Sequence, residues 1–278
     1  MRQRWCIALR LPVQLRANNQ LDYLEEKKRV RFINMDRNTA SDKLLEYNYI
    51  NVITPFKHKF AKCDSKKQVV KVNGNHVYEK DVDFSEYYNC FLEERNKYPA
   101  IIANIQDFEI HFKSITAYHI LTTARIRNSS DLSLFLSKLE LRFSFLEFRY
   151  DKTRIQHMKN QIATLKNDIF QYADVYCFFD RMSLGNMLTV FTCLENDTQN
   201  RILKDMKKYK VNLNVDQVPA FIKKVFCLVS IRNCVMHCNS LEVLIRFYKP
   251  KTHELRNSSD RKKYLSLIKL LSKEKTRD

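Results

Sequence analysis

The sequence predicts an all-α protein, and two observations carry that reading: the scarcity of turn-making residues and the spacing of the apolar ones. Of 278 residues only Gly74 and Gly185 are glycine and five are proline, where average usage would supply roughly twenty glycines. Folds that need many tight turns, or glycine-rich loops around phosphates, depend on residues free to adopt positive φ. They are excluded, and with them the P-loop and the dinucleotide fingerprint. Through most of the chain the apolar residues recur at the helical interval of three or four. With 45% hydrophobic and 29% charged residues the composition is that of a folded protein with a core, not of a disordered tail.

The elements follow in order. Residues 1–18 carry arginines and Pro12 without periodicity and read as a flexible basic lead-in. Residues 21–31 read as a helix with acids early and bases late, which suits the helix dipole. Asn38-Thr39-Ala40-Ser41 precedes a second helix over about 40–62, which Pro55 breaks or kinks. At 68–80 comes the one strand signal, with Val69, Val70, Val72, Val77 and Tyr78 flanking Asn73-Gly74, a small β-hairpin. Helical patterning resumes at Phe84, and Pro99 marks a new start ahead of 100–123. A pair at about 129–146 and 151–174 follows. Ser183-Leu184-Gly185-Asn186 opens a turn into 186–194 and 197–208, and Pro219 suits the first turn of a last major helix over about 218–239. The tail, 245–278, is basic, with Tyr264, Leu265, Ile268 and Leu271 at helical spacing; it reads equally as a helix docked on the body or as an RNA-binding arm. The expected organisation is thus a lead-in (1–18), an N-terminal helical region with the hairpin (19–98), a helical bundle (99–245) and a basic C-terminal segment (246–278).

The formal net charge is +18, from 49 Lys and Arg against 31 Asp and Glu. A potential of that size attracts polyanions, and nucleic acid is the partner it favours over an anionic membrane surface. Basic clusters fall at 57–71, 152–166 and 249–263. Eight scattered cysteines with no C-x-x-C pair, in a chain this large, predict reduced thiols and a cytoplasmic protein. Arg10 interrupts the short apolar run Trp5–Leu9, so no signal peptide is expected, and no stretch is long enough for a membrane span.

The chemistry concentrates in 221–239, F-I-K-K-V-F-C-L-V-S-I-R-N-C-V-M-H-C-N. On a helical projection Val225, Leu228, Val229 and Met236 form an apolar stripe with Arg232 near its centre, and Asn233 and His237 are i,i+4 neighbours on its edge. An arginine facing a core costs several kcal/mol unless paired or opening on a cleft, so Arg232 either bonds a buried carboxylate such as Glu109 within one chain, snorkels outward or serves a site shared between two chains. Such a trio can cleave RNA through its own 2′-OH. Histidine titrates near neutral pH and moves a proton, arginine offers a permanent forked cation to phosphate oxygens, and asparagine orients its neighbours. No cofactor or metal is required. Cys234, His237 and Cys238 lack the further cluster a zinc site needs, and His111 and His119, eight residues apart, read as packing or capping residues.

Arginine, a polar residue, and histidine after four intervening residues, as in Arg232-Asn233-Cys234-Val235-Met236-His237, resembles the signature of the HEPN superfamily. The surroundings resemble the Abi family of abortive-infection proteins, of AbiD/AbiF type: residues 42–61 (D-K-L-L-E-Y-N-Y-I-N-V-I-T-P-F-K-H-K-F-A), 83–97, 108–119 and Ser183-Leu184-Gly185-Asn186. The resemblance covers about 20–245 and leaves the lead-in and the basic tail unmatched. It implies an all-α HEPN-like bundle with an N-terminal helical extension, and an antiphage toxin that cuts RNA without metal. It also implies a homodimer in which two Arg/His motifs face each other, and control by a small non-coding RNA, as in the AbiF branch, which is similar to the HEPN parts of type VI CRISPR effectors. Some HEPN nucleases carry a Glu-x-x-x-Lys pair on an earlier helix. Glu109 and Lys113 have that spacing, which is equally the spacing of an ordinary i,i+4 ion pair. The expected partners are therefore RNA and a second copy of the chain, with no membrane. The alternative is a HEPN protein that binds structured RNA without cutting it, and a helix-turn-helix DNA regulator is not supported.

Overall fold

A computed structural model describes residues 17–65, 68–208, 213, 215–249 and 254–273. The expected lead-in lies outside these residues except for its last two. The described chain is helical with only small strand pairs, as the composition requires. It divides into two compact units: one contains the residues up to Ile101 together with those from Asn233 onward, the other Ile102–Arg232.

In the first unit α1 (Ala17–Lys28) is followed by β1 (Val30–Arg31). The expected helix over 40–62 is a series of short pieces: α2 (Arg37–Tyr47), α3 (Tyr49–Val52), a 3₁₀ turn (Thr54–Phe56) and α4 (Lys57–Phe60). Asp36 caps α2, accepting from the Asn38 and Thr39 amides, so this helix begins three residues earlier than its Asn-Thr-Ala-Ser run suggests. Two residues interrupt the run. Asn48, at φ 70, ends α2 and caps α3 with its own side chain, and Pro55 sits in the 3₁₀ turn.

The hairpin forms where the Asn-Gly pair predicts it. Strands β2 (Lys71–Val72) and β3 (Asn75–His76) pair antiparallel across Asn73 and Gly74, both at positive φ (51 and 78), the conformation a two-residue hairpin loop demands. Strand β4 (Val82–Asp83) pairs parallel with β1. Its Asp83 opens α5 (Phe84–Arg95) with a capping box completed by Glu86. Leu21, Leu24, Ile53, Phe56, Phe84 and Tyr87 are fully buried together in this unit's core.

Helix α6 (Tyr98–Thr123) carries Pro99 in its first turn, tolerated because a helix's first amides have no intrahelical acceptor. The second unit continues with α7 (Ser129–Leu141), α8 (Phe143–Leu146), α9 (Lys152–Asp168), α10 (Val175–Arg181), α11 (Leu184–Cys193), α12 (Asn196–Met206) and α13 (Val218–Met236). Asn128, Asp151, Asp174 and Ser183 cap α7, α9, α10 and α11. Four phenylalanines interlock at this unit's centre: Phe108 and Phe112 of α6, Phe191 of α11 and Phe221 of α13, with ring centroids 5.4–6.3 Å apart. Each tilted or edge-on pair adds about 0.5–1.5 kcal/mol to the burial of the rings. Helices α6 and α13 carry residues of both units.

The C-terminal residues belong to the first unit: α14 (Leu241–Arg246), β5 (Phe247–Lys249), β6 (Glu254–Leu255) and α15 (Ser258–Leu271). Of the two readings of the basic tail, α15 takes the docked one. It packs on α14 and buries Tyr264, Leu267, Ile268 and Leu271. Among the described residues no helix is long and apolar enough to cross a membrane.

Candidate functional site

The motif Arg232-Asn233-Cys234-Val235-Met236-His237 occupies the last turn of α13 and the residue beyond it. The helix stops at Met236, short of the expected 239, for a local reason. Cys238 adopts φ 54, its amide donates to Val235 O (3.0 Å), and the Asn239 amide donates to Cys234 O (2.9 Å). These are the paired bonds of a Schellman cap, with Cys238 in the left-handed position that glycine usually fills. His237 is therefore the C-cap residue, its own amide still bonded to Asn233 O (3.2 Å).

The buried face of α13 differs from the projected stripe. Phe221, Ile222 and Val225 are buried in the first half, and Leu228, Ile231, Cys234 and Val235 in the second, whereas Val229 is half-buried and Met236 is 52% exposed. The face rotates around the helix because its neighbours change along its length, which a fixed 100° projection cannot register. Arg232 consequently sits at the edge of the apolar face, not its centre, with its side chain 38% exposed. Asn233 and His237 are exposed, as are Phe226 and Lys223 about two to four turns back on the same helix.

Within the second unit Arg232 Nε lies 4.0 Å from Glu109 Oε2, and Lys113 Nζ lies 3.1 Å from Glu109 Oε1. Lys113 Nζ also donates to Asp180 O at 3.1 Å. The structure thus brings Glu109, Lys113 and Arg232 together, with the Glu109 carboxylate, 13% exposed, between two cations. The i,i+4 pair on α6 is both an ordinary helical ion pair and a wall of the place where the motif's arginine rests.

Residues that sequence reasoning missed hold the chain just after His237. In the first unit, Glu94 Oε2 accepts from the Ser240 hydroxyl (3.1 Å) and the Glu242 amide (2.9 Å), and the Tyr98 hydroxyl lies 2.7 Å from Asn239 O and 3.0 Å from Glu94 Oε1. Burial raises the Glu94 carboxyl above its ordinary range against the pull of these bonds. His58 Nε2 lies 2.8 Å from Glu242 Oε1. The i,i+4 spacing of Glu94 and Tyr98 is local, but the residues after His237 that they hold lie far along the chain, so no local pattern marks the clamp.

Two histidines of α6 and one cysteine of α13 are held by local or tertiary contacts. His111 Nδ1 lies 2.7 Å from Asp107 O, and His119 Nε2 2.9 Å from Asp205 Oδ2. Cys234 is buried with Sγ 3.2 Å from Asn239 O, and burial pushes its thiol well above the ordinary range, so it stays protonated. Among the described residues no three His, Cys, Asp or Glu side chains are grouped to hold a metal ion.

The model of the family described as Abi-like protein matches residues 42–241. The chain belongs to that family. The match runs from α2 to the start of α14 and includes every candidate site residue named above. Comparison with curated proteins and with solved structures finds no match.

Proposed function

We propose that this Abi-like protein acts in abortive infection as a HEPN-type endoribonuclease of the AbiD/AbiF branch. In this reading Arg232 stabilises the phosphate under attack, His237 moves the proton and Asn233 orients them. The observation that carries it is the presentation of the motif. Three polar side chains end a helix whose other side is core, and two of them, Asn233 and His237, face outward at a cap. The cap bonds are made by backbone, so capping itself requires neither side chain. Histidine supplies general acid–base catalysis near neutral pH and arginine a fixed charge for the phosphorane oxygens, so the step needs no metal. Glu109 holds Arg232 at rest, and Lys113 fixes the other oxygen of the same carboxylate.

The net charge of +18 supports an RNA partner, both as substrate and as the small structured RNA that keeps a toxin silent. A helix places residues five apart about 140° from each other, so one Arg232 and one His237 cannot both face one phosphate squarely. A two-fold homodimer that brings two motifs around one cleft resolves this.

Expression of the wild type in a bacterial host is expected to arrest growth, and His237→Ala and Arg232→Ala to relieve the arrest while remaining folded by circular dichroism. Purified wild-type protein should cut RNA in excess chelator, and the variants should lose at least 100-fold in rate. Equal toxicity of all three proteins rejects the nuclease. RNA binding without cleavage by the wild type replaces it with a binding-only protein.

A further inference from the structure

The second unit has an open groove of about 800 Å³ at the other end of α13, lined among others by Arg149, Tyr150, Arg154, Gln199 and Lys223. Two of its features are unusual for a plain surface cleft. Its acids are already engaged: Asp151 caps α9 by accepting from the Arg154 amide at 2.9 Å, and Asp216 pairs with Lys207 at 2.6 Å. Arg149, Arg154 and Lys223 have no carboxylate partner among the described residues. Three cations against the one remaining carboxylate charge of Asp151 leave the groove net positive, and with the positive end of the 19-residue α13 at its wall this favours an anionic occupant.

The second feature is planar. The Arg154 guanidinium lies over the Tyr150 ring at 4.4 Å and over the Phe226 ring at 5.0 Å, and Phe226 is 48% exposed. Flat cationic and aromatic surfaces of this kind receive nucleobases, because every base has a π face. In the lining of the same groove Gln199, 4% exposed, spends both amide hydrogens on Phe191 O (2.8 Å) and Thr192 O (3.2 Å). Only its Oε1 is left, and an amide oxygen recognises a donor, such as the amino group on a base edge.

We infer that this groove is an anchoring site for single-stranded RNA, separate from the Arg232–His237 motif. Arg149 and Lys223 contact phosphates, and a base stacks on the Arg154–Tyr150 platform. The inference rests on the proposed RNA reading and deepens it. Lys223 and Arg232 are nine residues apart on one helix, about 14 Å along its axis, so a strand anchored at the groove runs a few nucleotides before it meets the motif.

The test is binding of a short fluorescent single-stranded RNA to the full chain, followed by anisotropy over a salt series, with His237→Ala as the background to prevent cutting. Lys223→Ala and Arg149→Ala are expected to weaken binding at least tenfold and to lower the log–log salt slope by about 0.7 each. Arg154→Lys, which keeps the charge and loses the plane, should weaken binding while leaving the salt slope unchanged. Circular dichroism and melting identify any variant that merely unfolds, and Arg154→Lys keeps the test alive if Lys223→Ala or Arg149→Ala does so. Wild-type affinity and slope in all groove variants overturn the groove while leaving the nuclease reading intact. No RNA binding by the parent protein overturns both, and stronger binding of poly-glutamate than of RNA marks the groove as a protein-docking site instead.

Discussion

Glu109 holds two cations with one carboxylate, and its position defines what the candidate site does at rest. Lys113 is one turn away on the same helix, so that pair forms whether or not a site exists. Arg232 comes from α13, and its approach to 4.0 Å is a tertiary event. With Lys113 18% and Glu109 13% exposed, the pair is worth more than the roughly 0–1 kcal/mol of a solvent-exposed bridge, because an unpaired partner would be left half-buried. Glu109→Gln is expected to cost about 1–3 kcal/mol in chemical denaturation. It should also change cleavage, since Arg232 loses its resting partner. Glu109→Gln with unchanged stability would show that the bridge contributes nothing.

Helix α13 turns one local accident into a presentation device. Its cap needs a left-handed residue, and the chain supplies Cys238 where glycine would fit without a Cβ penalty. Cys238 is exposed, so no core contact is at stake. Cys238→Gly is therefore expected to stabilise the protein by about 1 kcal/mol, read as a rise in melting temperature, and a β-branched residue there should lower it. The same cap stops the helix at His237 and turns the next residues toward Glu94 and Tyr98. The rotation of the buried face is the other feature of this element. It moves Arg232 to an edge and leaves Lys223, Phe226, Asn233 and His237 along the exposed side.

At the scale of the molecule, the first unit carries a burden that the site does not use. Lys28 is 5% exposed, with Nζ 4.8 Å from the Tyr78 ring centroid, and Lys57 Nζ lies 4.8 Å from that of Tyr49. Burial lowers Lys28 and pushes Lys57 from 10.5 down to about 8. Between those two values the unfolded chain binds more protons than the folded one, so this contribution to stability rises with pH across the window. Below about 8 both states are protonated and the full desolvation cost stands. Lys57→Met is thus expected to be more stable than wild type at pH 7, with the gap narrowing from pH 8 toward 10. A gap independent of pH in urea denaturation would reject this. His76, pushed by burial from 6.5 down to about 4, acts on the acid side. The unfolded chain takes up its proton first, so stability falls as pH drops from 6.5 to 4, and His76→Phe should remove that loss.

Where structure depends on neighbours in the chain, the sequence by itself determined the outcome. The glycine count excluded turn-rich folds, Asn73-Gly74 made a hairpin because two positive φ values cost least there, and Pro99 fell in the first turn of a helix, where its missing amide is harmless. Even the errors were short-range: Asn48 divided the expected 40–62 helix, and Cys238 ended α13 early. The motif itself was legible because its residues are close in sequence. What the tertiary structure decided was everything set by distant partners: the pairing of Arg232 with Glu109, the Glu94 and Tyr98 clamp after His237, and the groove that joins residues near 150, 199 and 223. A helix's periodicity tells which positions can share a face, and only the neighbours packed on it determine which face is buried.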